Sequence, residues 1–322
     1  MSPDGKKFAF HLIPCGIIYP HTVNVLGNGV VVDFEKLWQE LADLEKKGVN
    51  WKGRLLISDR AHILFQSHRA RDGFEEERRK SDGRVALGTT RRGIGPAYAD
   101  KVSRVGIRVG ALLNWDVFCR QLRQCYQSDE TYYNTLDWFK RRLDVLQPMI
   151  IDSVTYLNDA SKAGKSILTE GANAAMLDVD FGTYPFVTSS TTTAGGVCTG
   201  LGLAPSKLTT VYGVAKAYTT RVGAGPFPTE LTDERGGGNR PLGAPGTDIG
   251  LHMQTVGKEV GVTTGRKRRC GWLDVVVLNY SNLLNGYSSI NLTKLDVMDG
   301  LDEVKIGAWV GSCACSRLRA YV

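Results

Sequence analysis

The fold is decided by residues 22–58, which read TVNVLGNGVVVDFEKLWQELADLEKKGVNWKGRLLIS. The first part, Thr22–Val32, is rich in β-branched and apolar residues and is interrupted at Gly27–Gly29. A Gly-Asn-Gly break inside such a run is typical of a tight turn between two strands. We therefore expect two short strands joined by a hairpin-like turn.

A helix and a further strand complete the quoted stretch. Asp33 is a residue type that caps helix N-termini, and apolar residues recur at helical spacing from about Phe34 to Lys47. Arg54–Ser58 then returns to strand-forming sequence. Helices are predicted again at Trp115–Gln127 and at Pro205–Thr220. This alternation of strands and helices predicts an α/β layer architecture.

Composition indicates a globular protein with an anionic ligand. Of the 322 residues, 42% are hydrophobic and 23% are charged, and the net charge is +7 with a sequence pI near 9.0. No apolar stretch has the length of a membrane span, and Met1–Phe10 has no signal-peptide pattern. The seven cysteines are scattered, with a C-x-C only at Cys313–Cys315, so we expect reduced thiols, no zinc site and a cytoplasmic location.

Two segments lack the composition of a packed core. Arg235–Gly250 is dominated by glycine and proline, which predicts a flexible surface insertion. From Trp309 to Val322 the apolar periodicity is lost, which predicts an irregular C-terminal tail. We therefore predict one main domain over residues 1–308, with the insertion at about 235–250 and the tail at 309–322.

Three polar loops have the composition of anion-binding sites. Gly88–Pro96 combines hydroxyls, guanidiniums and glycines, a mixture that serves phosphate binding and ordinary turns about equally well. Val187–Gly196 contains six consecutive hydroxyl residues and ends in two glycines. Gly261–Arg269 joins paired threonines to four basic residues, and its arginines can grip carboxylates or phosphates. A basic run of this kind is also typical of nucleic-acid binding, although apolar sequence resumes directly after it.

A fourth loop has the chemistry of a guanine-binding site. A predicted strand, Ser289–Leu292, leads directly into Thr293-Lys294-Leu295-Asp296. Guanine presents two adjacent donors, its ring N–H and its exocyclic amine, and a single carboxylate can accept both. Asp296 therefore has the chemistry to select GTP over ATP, with the stem of Lys294 lying over the base. Lysine and aspartate pairs also occur in ordinary solvated turns, so this loop gains its weight from the motifs before it.

Taken together, these segments resemble the adenylosuccinate synthetase family. The similarity runs from about Phe8 to Lys305, and its most specific parts are EGANAAMLDVDFGTYPFVTSS at 170–190 and GVTTGRKRRCGWLD at 261–274, which look like the animal form. The resemblance implies a P-loop-NTPase-like α/β ligase with a large central mixed or parallel sheet, surrounding helices and long functional loops. It further implies that IMP, L-aspartate and GTP are the substrates, and that adenylosuccinate forms through 6-phosphoryl-IMP on the route to AMP.

The resemblance also assigns ligands to residues of this chain. The residues implied to hold IMP are Thr90, Arg104, Asn173, Thr188 and Arg266. Arg104 is expected to reach the partner's IMP across a homodimer interface. The residues implied to bind aspartate, in a mobile loop, are Val262, Thr263, Thr264, Gly265, Arg266, Lys267 and Arg268. The residues implied to contact GTP are Arg268, Lys294, Leu295 and Asp296. Neither nucleic acid nor a membrane is an expected partner.

Some features of the family have no counterpart in this sequence. Three of them would lie upstream of Met1: the glycine-rich phosphate loop, the catalytic histidine, and the catalytic aspartate that also binds Mg²⁺. The last portion of the family's sequence would lie beyond about Lys305. His11 and His21 do not match the motif of the catalytic histidine. We therefore expect a fold that is incomplete at both ends, no catalytic residue or metal ligand in this chain, and little or no synthetase activity from it alone. The alternatives are a non-catalytic isoform or fragment that dimerises and binds IMP, and a nucleic-acid binder.

Overall fold

The computed structural model describes residues 5–83, 88–126, 128–231, 249–261, 265–311 and 319–321. The chain divides into two compact units. The first unit comprises Met1–Val85, Arg91–Ala172 and Thr188–Lys207, and the second comprises Ala86–Thr90, Asn173–Val187 and Leu208–Val322. Both units contain helices and parallel strands, so the predicted α/β fold with parallel sheets is confirmed.

The first unit contains two small parallel sheets and most of the helices. Its strands are β1 (Asn24–Leu26), β2 (Val31–Val32), β3 (Leu55–Ser58), β4 (His62–Ile63) and β5 (Ile150–Ile151). Its helices are α1 (Phe34–Lys46), α2 (Gln66–Ser81), α3 (Ile94–Val102), α4 (Trp115–Cys125), α5 (Asp129–Lys140), α6 (Leu143–Leu146), α7 (Ser153–Lys162) and α8 (Gly195–Leu201). One sheet has the order β1-β3-β5, and the other pairs β2 with β4.

The strand–helix–strand unit predicted from the sequence is confirmed. The carboxylate of Asp33 accepts the backbone N–H of Lys36 at 3.1 Å and so caps α1. Leu37, Leu41 and Leu44 lie on one face of α1 and are buried in the core of the first unit. This burial of an apolar stripe in the core of the first unit is the reason that the amphipathic pattern forms a helix at this place.

The predicted hairpin at Gly27–Gly29 is wrong. β1 pairs in parallel with β3, and β2 pairs in parallel with β4, so β1 and β2 are not partners. The Gly27–Gly29 turn instead lies against α8, where the N–H of Gly29 donates to the carbonyl oxygen of Gly200 at 2.9 Å. The glycines are therefore needed for close approach between two backbones, which is another use of a residue without a Cβ.

The second unit has three small sheets around a separate core. Its strands are β6 (Tyr212–Lys216), β7 (Tyr218–Arg221), β8 (Arg269–Asp274), β9 (Ser289–Thr293), β10 (Ile306–Gly307), β11 (Trp309–Gly311) and β12 (Arg319–Tyr321), and its helices are α9 (Ile249–Val256) and α10 (Val275–Asn285). β8 lies between antiparallel β7 and parallel β10, while β6 pairs in parallel with β9. The core contains Ala217, Tyr218, Met253, Cys270, Trp272, Val297 and Met298.

The helix predicted over Pro205–Thr220 is also wrong. Only Pro205–Lys207 forms a short 3-10 helix, residues 208–211 are irregular, and β6 and β7 begin at Tyr212. This segment is rich in threonine, tyrosine and valine, whose side chains favour extended backbone. The predicted strand before Thr293 is confirmed, since β9 pairs with β6 along its whole length.

Two predicted irregular segments contain regular structure. Ile249 and Gly250 belong to α9, so the predicted insertion at 235–250 includes the start of a helix, while its residues 235–248 lie outside the described residues. Ile249 packs against the core of the second unit, which explains this difference. In the predicted tail, β11 pairs antiparallel with β12, whereas residues 312–318 and 322 lie outside the described residues. Within the described ranges, none of the helices has both the length and the apolarity of a membrane span.

Candidate active site

In the second unit, backbone hydrogen bonds join Gly261 to the start of the basic run at Arg266. The N–H of Gly261 donates to the carbonyl oxygen of Arg266 at 2.8 Å, and the N–H of Gly265 donates to that of Gly261 at 2.8 Å. Val260 and Lys267 form an isolated antiparallel bridge at the base of the loop. The residues on the two sides of 262–264 therefore lie together, and the chain continues from them to β8. Val262, Thr263 and Thr264, predicted to bind aspartate, lie outside the described residues.

Arg268 is held by a buried carboxylate. Its Nη1 atom donates to Oε2 of Glu259 at 2.8 Å, and its backbone N–H donates to the carbonyl oxygen of Glu259 at 2.9 Å. The Glu259 side chain is 1% exposed and also accepts Lys216 Nζ at 2.8 Å and Tyr218 Oη at 2.6 Å. Burial alone would raise the pKa of this carboxyl, but the hydrogen bonds from Lys216, Tyr218 and Arg268 lower it below its usual value. Glu259 is therefore an anion that fixes the guanidinium of Arg268.

Arg269 is also paired with a carboxylate, and its remaining contacts are with the glycine-containing segment at 223–225. It makes a two-pronged pair with Glu230, in which Nε and Nη2 donate to the two carboxylate oxygens at 2.7 and 2.5 Å. Its Nη1 atom donates to the carbonyl oxygens of Gly223 and Gly225 at 3.1 and 3.0 Å. Two of the cations in the run are therefore matched by carboxylates of the same unit. This pairing disfavours the interpretation of the run as an open nucleic-acid patch, which would need its charges free for phosphates.

Two segments predicted to hold IMP come together in the second unit. Gly88 has φ +73°, and a Cβ atom built on it would lie 3.2 Å from Nη1 of Arg266. Gly223 Cα would lie 3.9 Å from the same built atom. Thr90 is exposed, two residues further along the same segment. A guanidinium and the backbone of two glycines thus lie close together, which is a suitable combination for a phosphate. Asn173 is also exposed in this unit.

The Thr293–Asp296 loop is presented by β9. Lys294 adopts the left-handed conformation, with φ +64°, and its Nζ donates to the carbonyl oxygen of Gly257 at 2.8 Å. Leu295 and Asp296 are exposed and begin a 3-10 helix that ends at Met298. Val297 and Met298 are buried in the core of the second unit. The exposed carboxylate of Asp296 is therefore carried by a segment that is anchored in the core. Such anchoring fixes the position of the side chain, as recognition of a nucleobase requires.

The other two residues predicted to hold IMP lie in the first unit. Thr188 is half-buried, and its hydroxyl lies 3.0 Å from the hydroxyl of Ser190. Arg104 is exposed and has φ +64° in a tight turn that follows α3. In that turn the carbonyl oxygen of Asp100 accepts the N–H groups of Val105 and Gly106 at 3.0 and 3.1 Å. Arg104 is therefore an exposed residue in a hydrogen-bonded turn.

The partly buried carboxylate of Asp100 stabilises the Arg104 turn. The carboxylate of Asp100 accepts Arg71 Nη2 at 2.7 Å and lies 3.0 Å from Nε2 of His68. Because His68 Nδ1 accepts the N–H of Phe65 at 2.9 Å, the proton of the neutral ring is on Nε2 and points to Asp100. Burial opposes the charge on Asp100, but the hydrogen bonds from Arg71 and His68 lower its pKa. α2 and the Arg104 turn are thereby joined through one carboxylate.

The sequence interpretation missed the carboxylates that organise the arginines. Glu259 and Glu230 were not singled out, and neither were Lys216 and Tyr218. The available signal was charge balance: four basic residues in a row that enter an apolar strand need acidic partners, and Glu259 precedes the loop by two residues. Sequence spacing alone does not identify Glu230, which is 39 residues from Arg269.

The described residues do not offer a metal centre. Within those ranges no three histidine, cysteine, aspartate or glutamate side chains are grouped as metal ligands. The carboxylate of Glu259 is already bound by Lys216, Tyr218 and Arg268. We therefore assign no Mg²⁺ ligand to these residues.

Comparison with known proteins identifies the family of this chain. The model of the adenylosuccinate synthetase family matches residues 1–310. The chain is 50% identical to adenylosuccinate synthetase of Phaeodactylum tricornutum over 312 residues, which is 94% of this chain and 57% of that protein. It is also 50% identical to the Paramecium tetraurelia enzyme over 315 residues, which is 94% of this chain and 68% of that protein. The chain thus spans between about half and two thirds of the length of such relatives.

Solved structures give the same result. Fully ligated adenylosuccinate synthetase from Plasmodium falciparum superimposes with a TM-score of 0.82 at 43% identity, over 93% of this chain and 68% of that one. Cyanophage succinoaminodeoxyadenylate synthetase, bound to dGMP and dATP, shares the fold at a TM-score of 0.60 and 20% identity. The family match covers nearly the whole chain and includes every loop described above. This chain therefore belongs to the adenylosuccinate synthetase family.

Proposed function

We propose that this chain carries the substrate-binding part of a ligase that joins IMP to L-aspartate at the expense of GTP, and forms adenylosuccinate, GDP and phosphate. The observation that carries this proposal is the family match over residues 1–310, which includes each of the four polar loops. In this reaction GTP phosphorylates the purine O6, and the aspartate amine then displaces phosphate from the adjacent ring carbon. The step commits IMP to AMP in purine nucleotide biosynthesis.

A set of polar side chains is proposed to hold IMP. The residues with this role are Thr90, Asn173, Thr188 and Arg266, with Arg104 supplied by the partner subunit of a homodimer. Their hydroxyl, amide and guanidinium groups bind the phosphate and orient the purine, so that O6 lies in line for attack on the γ-phosphate. The closeness of Gly88 to Arg266 supports this assignment, because it combines backbone and guanidinium donors.

Aspartate binds to the loop at 262–268, and its two carboxylates meet the hydroxyls and guanidiniums of that loop. Arg268 also faces the phosphates of GTP, whereas Lys294, Leu295 and Asp296 bind guanine. The guanine assignment is supported by the exposed carboxylate of Asp296, which lies next to the buried residues Val297 and Met298. That carboxylate accepts both guanine donors, and adenine lacks this donor pair.

We further propose a cytoplasmic homodimer that uses Mg²⁺ with its nucleotide. The metal, when bound, neutralises charge on the transferred phosphoryl group. No residue described above is assigned as its ligand, so we derive no step of the reaction through it.

Guanine selectivity tests the proposal most directly. We expect calorimetric titration to show that the protein binds IMP and prefers GTP to ATP. Asp296→Asn is expected to reduce the preference for GTP by about 10–100-fold, since it removes a hydrogen bond to a charged acceptor. The matched control is Asp299→Asn, which changes an exposed carboxylate of the same segment and is expected to preserve the preference. Equal affinity of the wild-type protein for GTP and ATP would contradict the proposal.

A further inference from the structure

The turn at Gly257–Glu259, which we call the 257–259 turn, contacts two loops that are proposed to bind substrates. They are the guanine loop at Thr293–Asp296 and the aspartate loop at 262–268. Lys294 of the guanine loop donates from Nζ to the carbonyl oxygen of Gly257 at 2.8 Å. Arg268 of the aspartate loop donates to the Glu259 carboxylate at 2.8 Å and to its carbonyl oxygen at 2.9 Å. One cation from each loop is therefore bound to the same three-residue turn.

A second connection runs through the β6–β9 sheet. In the register of this sheet Lys216 is opposite Thr293, the residue directly before Lys294. Lys216 Nζ donates to Oε2 of Glu259 at 2.8 Å, and the same oxygen accepts Arg268. A displacement of the strand that delivers Lys294 therefore moves a cation that shares its acceptor atom with Arg268.

Packing prevents the turn from adjusting on its own. Tyr218 is 1% exposed, and its hydroxyl donates to Oε1 of Glu259 at 2.6 Å. A Cβ atom on Gly257 would collide with that hydroxyl and with the carbonyl oxygen of Met253. The turn is thus enclosed by β7 on one side and by the end of α9 on the other. Movement of either substrate loop must be transmitted to the other loop or must break buried hydrogen bonds.

We propose that Glu259 is a positioning residue that couples the guanine-nucleotide site to the aspartate site, so that occupation of either site strengthens binding at the other. The inference rests on the proposed function, because that function supplies the two ligands. Glu259 acts through Arg268 and Lys294 and does not touch a substrate itself. Coupling of this kind is reciprocal, so the effect of aspartate on GTP affinity must equal the effect of GTP on aspartate affinity.

The first experiment needs no ligand and compares hydrogen–deuterium exchange in the 322-residue protein and two variants. Glu259→Gln retains the shape of the side chain and removes its charge. Glu230→Gln does the same to the carboxylate that pairs with Arg269. We expect Glu259→Gln to accelerate exchange in both 265–268 and 293–297, and Glu230→Gln to act mainly on 221–231. Acceleration in only one of the two loops, or in neither, would overturn the coupling.

The second experiment measures the ratio of GTP dissociation constants without and with saturating aspartate, in the presence of IMP. We expect a ratio on the order of tenfold in the wild-type protein and in Glu230→Gln, and a ratio near one in Glu259→Gln. A general loss of stability would lower both affinities and leave the ratio unchanged, so a ratio that survives in Glu259→Gln contradicts the proposal. If the wild-type protein does not bind GTP, the proposed function fails, whereas hydrogen exchange still decides whether Glu259 joins the two loops.

Discussion

The backbone of Gly29 lies directly against the backbone of Gly200. The N–H of Gly29 donates to the carbonyl oxygen of Gly200 at 2.9 Å, and a Cβ atom on Gly29 would lie 2.8 Å from Gly200 Cα. The same turn receives Tyr98 Oη on the carbonyl oxygen of Gly29 at 2.6 Å and Lys101 Nζ on that of Asn28 at 2.9 Å. The turn between β1 and β2 therefore joins α3 and α8 within the first unit.

Gly29→Ala tests this contact. The added methyl group must displace the Gly200 backbone, which cannot rotate away as a side chain would, so we expect a loss of stability of about 1–3 kcal/mol. Urea denaturation at neutral pH measures the change. The control is Gly73→Ala within α2, where nothing lies within 4 Å of the added atom, and a gain of about 0.5–1 kcal/mol is expected there. Equal stabilities of the two variants would show that the backbones do not touch.

Gly88→Ala tests the proximity of the Gly88 segment to Arg266. A methyl group there meets Nη1 of Arg266 at 3.2 Å, so the guanidinium must shift, and under the proposed function this shift disturbs its contact with the phosphate of IMP. We expect IMP to bind roughly tenfold more weakly, which is the effect of losing about one charged hydrogen bond. Isothermal titration calorimetry provides the measurement.

Gly286→Ala separates backbone strain from this contact. Gly286 also has positive φ, at +58°, but nothing lies within 4 Å of its built Cβ. This variant is expected to lose stability and to retain its IMP affinity. A similar loss of affinity in both variants would assign the effect to strain and would contradict the contact.

His62 should make stability depend on pH. Burial first, and then the nearby charges of Lys101 and Arg108, lower the pKa of its ring from 6.5 to about 4. Between these values the unfolded chain binds a proton that the folded protein does not, so the free energy of unfolding falls as pH decreases from 6.5 to 4. Titration of this one ring lowers the free energy of unfolding by about 3 kcal/mol once the pH is below about 4. Above pH 6.5 it has no effect, because the ring is neutral in both states.

His62→Gln removes this titration. We expect the variant to lose less stability between pH 7 and pH 4 than the wild-type protein, as measured by urea denaturation at a series of pH values. Measurement at pH 8, where the ring is neutral in both states, corrects for any change in packing. Parallel stability curves for the two proteins would refute the role of His62.

Asp33→Ala should destabilise the first unit more than an ordinary cap substitution. Asp33 caps α1 and also accepts Nη2 of Arg69 at 2.5 Å in a site where Asp33 is 7% exposed. We expect a loss of about 2–3 kcal/mol, since a cap and a partly buried charged hydrogen bond are both removed. Asn114→Ala removes only the exposed cap of α4 and should cost about 1 kcal/mol. Thermal and urea unfolding measure both, and equal losses would show that Arg69 contributes nothing.

Local signals in the sequence were sufficient for part of the fold and for the family. The cap at Asp33, the leucine stripe of α1 and the strand before Thr293 depend on interactions among neighbouring residues, so they could be predicted. The loops at 88–96, 187–196 and 261–269 could be identified because hydroxyl, glycine and arginine side chains have specific uses with anions.

The sequence by itself therefore determined the α/β character and the helix that begins after Asp33, and it predicts the ligand chemistry of the polar loops. Only the tertiary structure decided that Gly29 meets Gly200, that residues after Tyr212 form strands, and that Glu259 binds Arg268 together with Lys216. The physical reason is the separation along the chain over which each kind of interaction acts. Caps and periodicity act over a few neighbouring residues, whereas a backbone contact, a strand partner or a buried counter-ion is selected by the packing of segments far apart in the chain.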